Sequence, residues 1–75
     1  MIVVELNLMF ADILGQKRVE LATDKALSLE ALSAALGLDY EDMGILLINR
    51  QWAPLEGSEI HDGDLVQLYP FMEGG

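Results

Sequence analysis

The residues of this chain that could take part in chemistry lie at its end, where Gly74 and Gly75 close the sequence. A glycine has no Cβ, so its backbone can enter a channel that excludes every side chain. A terminal glycine also presents an unhindered carboxylate, which ATP can activate as an acyl adenylate for transfer to a sulfur or nitrogen nucleophile. Fully extended, residues 70–75 reach roughly 20 Å, enough to place Gly75 in a partner's active site. The alternative is a flexible, dispensable tail.

The rest of the composition excludes several classes of protein. The 75 residues include no cysteine, which excludes a disulfide framework, a Cys-ligated zinc site and a thiol nucleophile. The lone His61 leaves little for a His-based metal site, so we predict no metal and no cofactor bound to the chain. Because no nucleophile–base or metal constellation is present, we expect a protein that is not itself an enzyme.

Charge and hydropathy restrict the partners. Thirteen acidic residues against four basic ones give a net charge of -9. That charge argues against binding nucleic acid or an anionic membrane surface, and it favours a basic protein partner through electrostatic steering. No apolar stretch approaches the length of a membrane span, and the first residues do not resemble a signal peptide. We therefore expect a cytoplasmic protein.

The N-terminal part predicts a hairpin and then a helix. Residues 2–10 read as a strand with one buried face. Its apolar residues recur at every second position: Val4, Leu6, Leu8 and Phe10. Residues 17–22 alternate again as a second, antiparallel strand after a turn at Gly15. Residues 29–36 then carry leucines at helical spacing, with Ser28 as N-cap and Gly37 as the stop signal.

The C-terminal part predicts the remaining strands. Residues 45–48 form a continuous apolar run, as expected of a central strand covered on much of both faces. Residues 51–53 are typical of a short strand, and residues 65–69 of a last strand that begins after a turn at residues 62–64 and ends at Pro70. A mixed sheet of four to five strands, with one main helix packed across it, buries these faces economically. The predicted fold class is α+β.

The order of these elements, the turn at residues 62–64, the Val66-x-Leu68 pair, Pro70 and the terminal Gly74-Gly75 together resemble the MoaD/ThiS family of small sulfur-carrier proteins. The resemblance covers essentially the whole chain and is most specific in its last part. It implies the ubiquitin-like β-grasp fold, with a domain over residues 1–70 and a flexible tail over residues 71–75. The chain departs from the family pattern in two places. Asn49-Arg50 stands where the family often has a glycine, and Phe71-Met72 is bulkier than the usual tail.

The resemblance also implies a function. In such proteins, an adenylyltransferase related to ubiquitin-activating enzymes uses ATP to adenylate the terminal glycine. A cysteine desulfurase or a rhodanese-like protein then supplies sulfur, and the resulting thiocarboxylate donates it to an acceptor synthase. Acceptors of this kind include the large subunit of molybdopterin synthase and thiazole synthase in thiamine biosynthesis. On this interpretation Gly75 carries the reactive carbonyl, and Gly74 gives it clearance.

Several residues near the tail are candidates for contact with these partners. The resemblance implies that residues 70–73 set the exit of the tail: Pro70, Phe71, Met72 and Glu73. Leu65 and Tyr69 lie on the strand face opposite Val66 and Leu68. With Phe71, they could form an exposed apolar patch for the activating enzyme. For Trp52 we expect packing at the edge of the core rather than a binding role.

Two other functions stay open at this point. The same Gly75 could be conjugated to lysines of target proteins, as in a ubiquitin-like protein modifier. Alternatively, the chain could be a non-covalent β-grasp interaction module whose tail is idle. Within sulfur transfer, Pro70 favours the small subunit of a molybdopterin synthase, whereas residues 36–39 favour thiazole synthesis. Roles in tungsten-cofactor synthesis, cysteine synthesis or tRNA thiolation also stay open. The sequence does not choose the acceptor.

Overall fold

The structure is a computed structural model that describes residues 1–72. Five strands run through this part of the chain: β1 (Ile2–Leu6), β2 (Arg18–Leu21), β3 (Met43–Ile48), β4 (Gln51–Ala53) and β5 (Leu65–Pro70). Two α-helices accompany them, α1 (Met9–Leu14) and α2 (Leu29–Leu36), together with a short 3₁₀ turn at Tyr40–Asp42. The α+β prediction is confirmed. Residues 73–75, the last part of the predicted tail, lie outside the described residues.

All five strands join one mixed sheet in the order β2-β1-β5-β3-β4. The two central strands, β1 and β5, are parallel, and the other pairs are antiparallel. Each strand has an inner face, which contributes to the core, and an outer face. On the inner face Val4 pairs with Val66, and Leu6 pairs with Leu68. The first and last strands therefore lie side by side, so the tail leaves the sheet at the end where β1 also ends.

The main helix follows its sequence prediction, including both ends. The Ser28 Oγ accepts a hydrogen bond from the backbone N–H of Ala31 at 3.0 Å, which caps the first turn. At the other end Gly37 adopts a left-handed φ of 77°, where a side chain would be strained. Leu29 and Leu32 are buried and turn the apolar stripe of α2 toward the core.

The core lies between the inner face of the sheet and the helices. Its buried apolar side chains come from β1, β3, β5, both helices and the connecting segments: Ile2, Val4, Leu6, Phe10, Leu29, Leu32, Leu38, Met43, Leu46, Ile60, Val66 and Leu68. The buried polar residue Ser33 satisfies its hydroxyl by donating to the Leu29 carbonyl at 2.7 Å. No helix among residues 1–72 combines the length and the apolar character needed to cross a membrane.

The prediction of a strand through residue 10 is wrong beyond Leu6. Leu8 adopts a positive φ of 55°, which breaks the extended backbone, and α1 begins at the next residue. Phe10 is fully buried from this helix rather than from a strand. The spacing of Phe10, Ile13 and Leu14 before Gly15 is also helical, and it competes with the alternation of the preceding residues.

The turn at Asn49-Arg50 forms without a glycine. Both residues have positive φ, 52° and 69°, as the two central positions of a type I′ hairpin turn require. Both polar atoms of the Asn49 side-chain amide form hydrogen bonds that stabilise the turn. Its Oδ1 accepts the Leu65 N–H at 3.0 Å, and its Nδ2 donates to Asp64 Oδ1 at 3.0 Å. This departure from the family pattern therefore has a local structural solution.

Candidate functional site

The candidate site is the C-terminal tail together with the surface from which it leaves. Glu73, Gly74 and Gly75, which the sequence assigns to this site, lie outside the described residues. The structure therefore describes the beginning of the tail, Pro70 to Met72, which we call the root of the tail. Pro70 is buried on the inner face, opposite Met43, whereas Phe71 and Met72 are 63% and 66% exposed. The chain passes from the core to the surface between Pro70 and Phe71.

The end of β5 is held from both sides. On the β1 side, Asn7 donates its backbone N–H at 3.2 Å and its side-chain Nδ2 at 3.1 Å to the same carbonyl, that of Leu68. On the β3 side, the Phe71 N–H donates to the Asp42 carbonyl at 2.7 Å. Backbone pairing thus continues one residue beyond the strand. The position from which the tail departs is set by hydrogen bonds to two different elements.

A glycine in β3 lies directly under this root. The register between β3 and β5 shifts between Met43 and Ile45, so Gly44 is an extra residue on β3. A Cβ built on Gly44 would lie 2.7 Å from the Pro70 carbonyl oxygen and 2.8 Å from both the N and the Cα of Phe71. The site residues predicted from the sequence did not include Gly44, Asp42 or Asn7. A glycine inside a strand is itself a signal for a bulge or a close backbone approach.

The outer face of the sheet carries apolar side chains along β3, β4 and β5, and Ile45 and Tyr69 lie nearest the root of the tail. The β3–β5 pairing places Ile45 beside Tyr69, and the β3–β4 pairing places Trp52 beside Leu47. We call the apolar half of this face the outer patch and define it by five residues: Ile45, Leu47, Trp52, Leu65 and Tyr69. Ile45 is 45% exposed and Trp52 is 71% exposed, and the other three are half-buried.

Two sequence expectations about this face are corrected. Trp52 does not pack at the core edge, because β4 is a three-residue edge strand and its alternation turns the indole toward the outer face. Residues 45–48 are not covered on both faces, since Ile45 remains exposed and the helices pack on the inner face only. The predicted placement of Leu65 and Tyr69 opposite Val66 and Leu68 is confirmed.

Beside the outer patch, the same face becomes polar over β1 and β2. Gln67 donates to Glu5 at 2.9 Å, and Arg18 lies 4.0 Å from the same carboxylate. The exposed ion pair between Arg18 and Glu5 contributes little to stability. The outer face is thus mainly apolar over β3, β4 and β5 and more polar over β1 and β2.

The loop before β5 contains a carboxyl group with a lowered pKa, that of Asp62. The Met1 ammonium hydrogen-bonds the Asp62 carboxylate, which holds the pKa of that carboxyl below its ordinary value, with help from the backbone at Gly63. This contact lies at the opposite end of β5 from the tail. Within residues 1–72, no three His, Asp or Glu side chains gather as a metal site would require.

Comparison with known proteins finds a likeness among solved structures. No protein-family model matches the chain, and no curated protein matches it. Among solved structures, the chain is similar to the crystal structure of SAMP1 from Haloferax volcanii, with 25% sequence identity and a TM-score of 0.69. The similarity covers 99% of this chain and 98% of that chain. The fold is therefore a ubiquitin-like β-grasp fold, as the sequence resemblance implied.

Proposed function

We propose that this chain is a ubiquitin-like sulfur carrier whose reacting group is the Gly75 carboxylate. An activating enzyme joins this carboxylate to the AMP portion of ATP and releases pyrophosphate. Sulfide then attacks the acyl carbon and displaces AMP, which leaves a thiocarboxylate on Gly75. The thiocarboxylate donates its sulfur to an acceptor in cofactor biosynthesis. In this scheme the chain is a co-substrate, and ATP binds to its partner.

The observation that carries the proposal is the likeness to SAMP1 over nearly the whole of both chains. That likeness supports a ubiquitin-like protein modifier or sulfur carrier in general. The Gly74-Gly75 sequence supports chemistry at a terminal carboxylate, because glycine admits the backbone into a narrow channel. The absence of cysteine from the sequence is compatible with a carrier that holds sulfur on its C-terminus.

The root of the tail suits this role. Phe71 and Met72 are exposed, and Gly74-Gly75 follows after one further residue. We assign the outer patch to the activating enzyme, because Tyr69 of this patch lies two residues before Phe71 on the strand that delivers the tail. A partner that covers the patch would hold the globular part beside its active site while the tail enters it. The net charge of -9 favours a basic surface around that site.

The test is the mass of the C-terminal peptide after incubation with ATP, sulfide and the adenylating enzyme of the source organism. Trypsin releases residues 51–75 as one fragment, since neither Lys nor Arg follows Arg50. Exchange of oxygen for sulfur increases the mass by nominally the same amount as oxidation of Met72, so the mass alone does not distinguish the two products. Alkylation with iodoacetamide distinguishes them, because the chain has no cysteine and only a thiocarboxylate would be alkylated readily.

We expect an alkylatable fragment that requires ATP. The matched control is a chain without Gly75, which keeps the whole folded domain and should give no alkylated fragment. An unmodified C-terminus in the presence of an active adenylating enzyme would refute sulfur carriage. Function that survives loss of Gly74-Gly75 would indicate a non-covalent interaction module instead.

Protein modification is the second candidate, because the fold likeness supports a modifier as well as a carrier. The first step is the same acyl adenylate, but the carbonyl carbon is finally attacked by a lysine amine of a target protein. Isopeptide-linked conjugates in cell extract that disappear when Gly75 is removed would favour this function. Within sulfur transfer, purification of the acceptor with the thiocarboxylated chain would distinguish molybdopterin synthesis from thiazole synthesis.

A further inference from the structure

At the root of the tail, two backbone segments are in close contact, although the packing of the core does not require it. Gly44 approaches Pro70 and Phe71 so closely that any Cβ would overlap their backbone atoms. Its φ is not positive, unlike that of Gly15, Gly37 or Gly63. Glycine is therefore required here for space rather than for backbone conformation. Phe71, which lies over it, is an exposed residue whose side chain contributes nothing to the core.

A backbone hydrogen bond also holds Phe71 against the sheet at this position. The Phe71 N–H reaches the Asp42 carbonyl at 2.7 Å, and it does so beyond the last residue of β5. The extra residue on β3 makes this pairing possible, because a bulge changes the direction of a strand locally. Gly44 and the Asp42 carbonyl together form what we call the tail seat. The seat fixes the first exposed residue of the tail to the sheet.

We propose that the tail seat positions the C-terminal tail for activation, with Gly44 as its positioning residue. This inference rests on the proposed function and adds to it the feature that aims the tail. Residues 72–75 would span about 14 Å if a partner's channel held them extended, so a shift at Phe71 would then be carried to the reacting carboxylate. Without the seat, the activating enzyme would bind the same globular part but receive a tail in many directions.

The effect of a methyl group follows from the distances. A Cβ on Gly44 would lie 2.7 Å from the Pro70 carbonyl oxygen, whereas ordinary contacts begin at 3.4 Å. The two backbones would have to separate by about 0.7 Å, and the neighbouring atoms belong to the main chain rather than to a flexible side chain. Misplacement of a reacting group by about 1 Å can cost up to about 100-fold in rate. We therefore expect roughly a tenfold or larger loss of kcat in Gly44→Ala.

The experiment is ATP–pyrophosphate exchange by the adenylating enzyme of the source organism, with the full chain as substrate. Because the outer patch is intact in Gly44→Ala, its Kd for the enzyme should stay within about twofold of wild type while kcat falls. The matched control is Gly63→Ala, at the opposite end of β5. A side chain there has open space but a strained φ of 91°, so it lowers stability without touching the tail.

A second pair of variants does not depend on how well Gly44→Ala folds. Phe71→Pro removes the N–H that donates to Asp42, and the extended Pro70 before it is compatible with proline. Phe71→Ala keeps the N–H and removes only the exposed side chain. We expect a lower kcat in Phe71→Pro than in Phe71→Ala.

The outcomes are distinct. If wild type exchanges pyrophosphate but Gly44→Ala matches Gly63→Ala, or Phe71→Pro matches Phe71→Ala, the tail seat has no positioning role and the inference is overturned. A rise in Kd with unchanged kcat would equally overturn it, because the glycine would then serve binding. If wild type itself is not adenylated, the proposed function fails first, and the inference fails with it.

Discussion

Substitution of Trp52 tests whether the proposed activating enzyme binds the outer patch. Its indole is 71% exposed on the outer face, beside Leu47 and on the short edge strand β4. A large exposed aromatic group costs solubility and contributes little to the core. We predict that Trp52→Ala weakens binding to the activating enzyme and leaves the fold intact.

The size of the effect follows from the exposed area. A tryptophan side chain can bury up to about 250 Å², so 71% of it corresponds to roughly 180 Å² that a partner could cover. At about 25 cal/mol per Å², complete coverage is worth about 4.5 kcal/mol, and truncation of an interface anchor costs about 2 kcal/mol or more. We expect Kd to rise at least about 30-fold, with an upper limit on the order of a thousandfold. The buried remainder of the indole limits the loss of folding stability to under about 2 kcal/mol.

The assay is isothermal titration calorimetry with the activating enzyme, with urea unfolding to measure stability. Ile13→Ala is the matched control, because Ile13 is 56% exposed but lies on α1, which packs against the inner side of the sheet. Its Kd should stay within about twofold of wild type. Wild-type affinity in Trp52→Ala, or equal losses in both variants, would refute the assignment of the outer patch.

Three further predictions concern the fold that supports the site. Phe10→Ala should lower the free energy of unfolding by about 3–5 kcal/mol in urea titrations, because Phe10 is fully buried, whereas Ile13→Ala should cost far less; similar losses would contradict the placement of α1. Asn49→Gly should lower the free energy of unfolding by about 1–3 kcal/mol, because the two side-chain hydrogen bonds are lost. Asn49→Ala should lower it by about 1 kcal/mol more, because a side chain is strained at the positive φ of this position; equal stability of the two variants would contradict this conformation of the turn. The lowered pKa of Asp62 predicts a stabilising contribution that is complete above the ordinary carboxyl pKa and is lost as pH falls through the folded-state pKa; acid unfolding of Asp62→Asn should lack this component, and an unchanged acid profile would count against the contact.

Local signals predicted the elements whose limits are set by neighbouring residues. Helix α2 begins after Ser28 and ends before Gly37, because a hydroxyl cap and a left-handed glycine act within one turn of the chain. The turn before β5 is of the same kind, with Gly63 at a φ of 91°. The alternation of β5 likewise placed Val66 and Leu68 in the core.

Local signals failed where two patterns competed or where coverage depended on distant elements. Leu8 and Phe10 continue the alternation of β1, but the chain turns at Leu8 and buries Phe10 from a helix. The apolar run at residues 45–48 has the composition of a strand covered on both faces. Only the packed structure shows that both helices lie on one side and that Ile45 and Trp52 remain exposed on the other.

The sequence by itself predicted the class of fold and is the source of the chemistry proposed for Gly75. A carboxylate on Gly75, the absence of cysteine and the periodicities of strand and helix are all properties of residue type and spacing. The tertiary structure decided what surrounds the tail: the outer patch, the parallel pairing of β1 with β5, and the approach of Gly44 to Phe71. These features depend on strand register between residues far apart in the chain, and register is a property of the packed sheet as a whole.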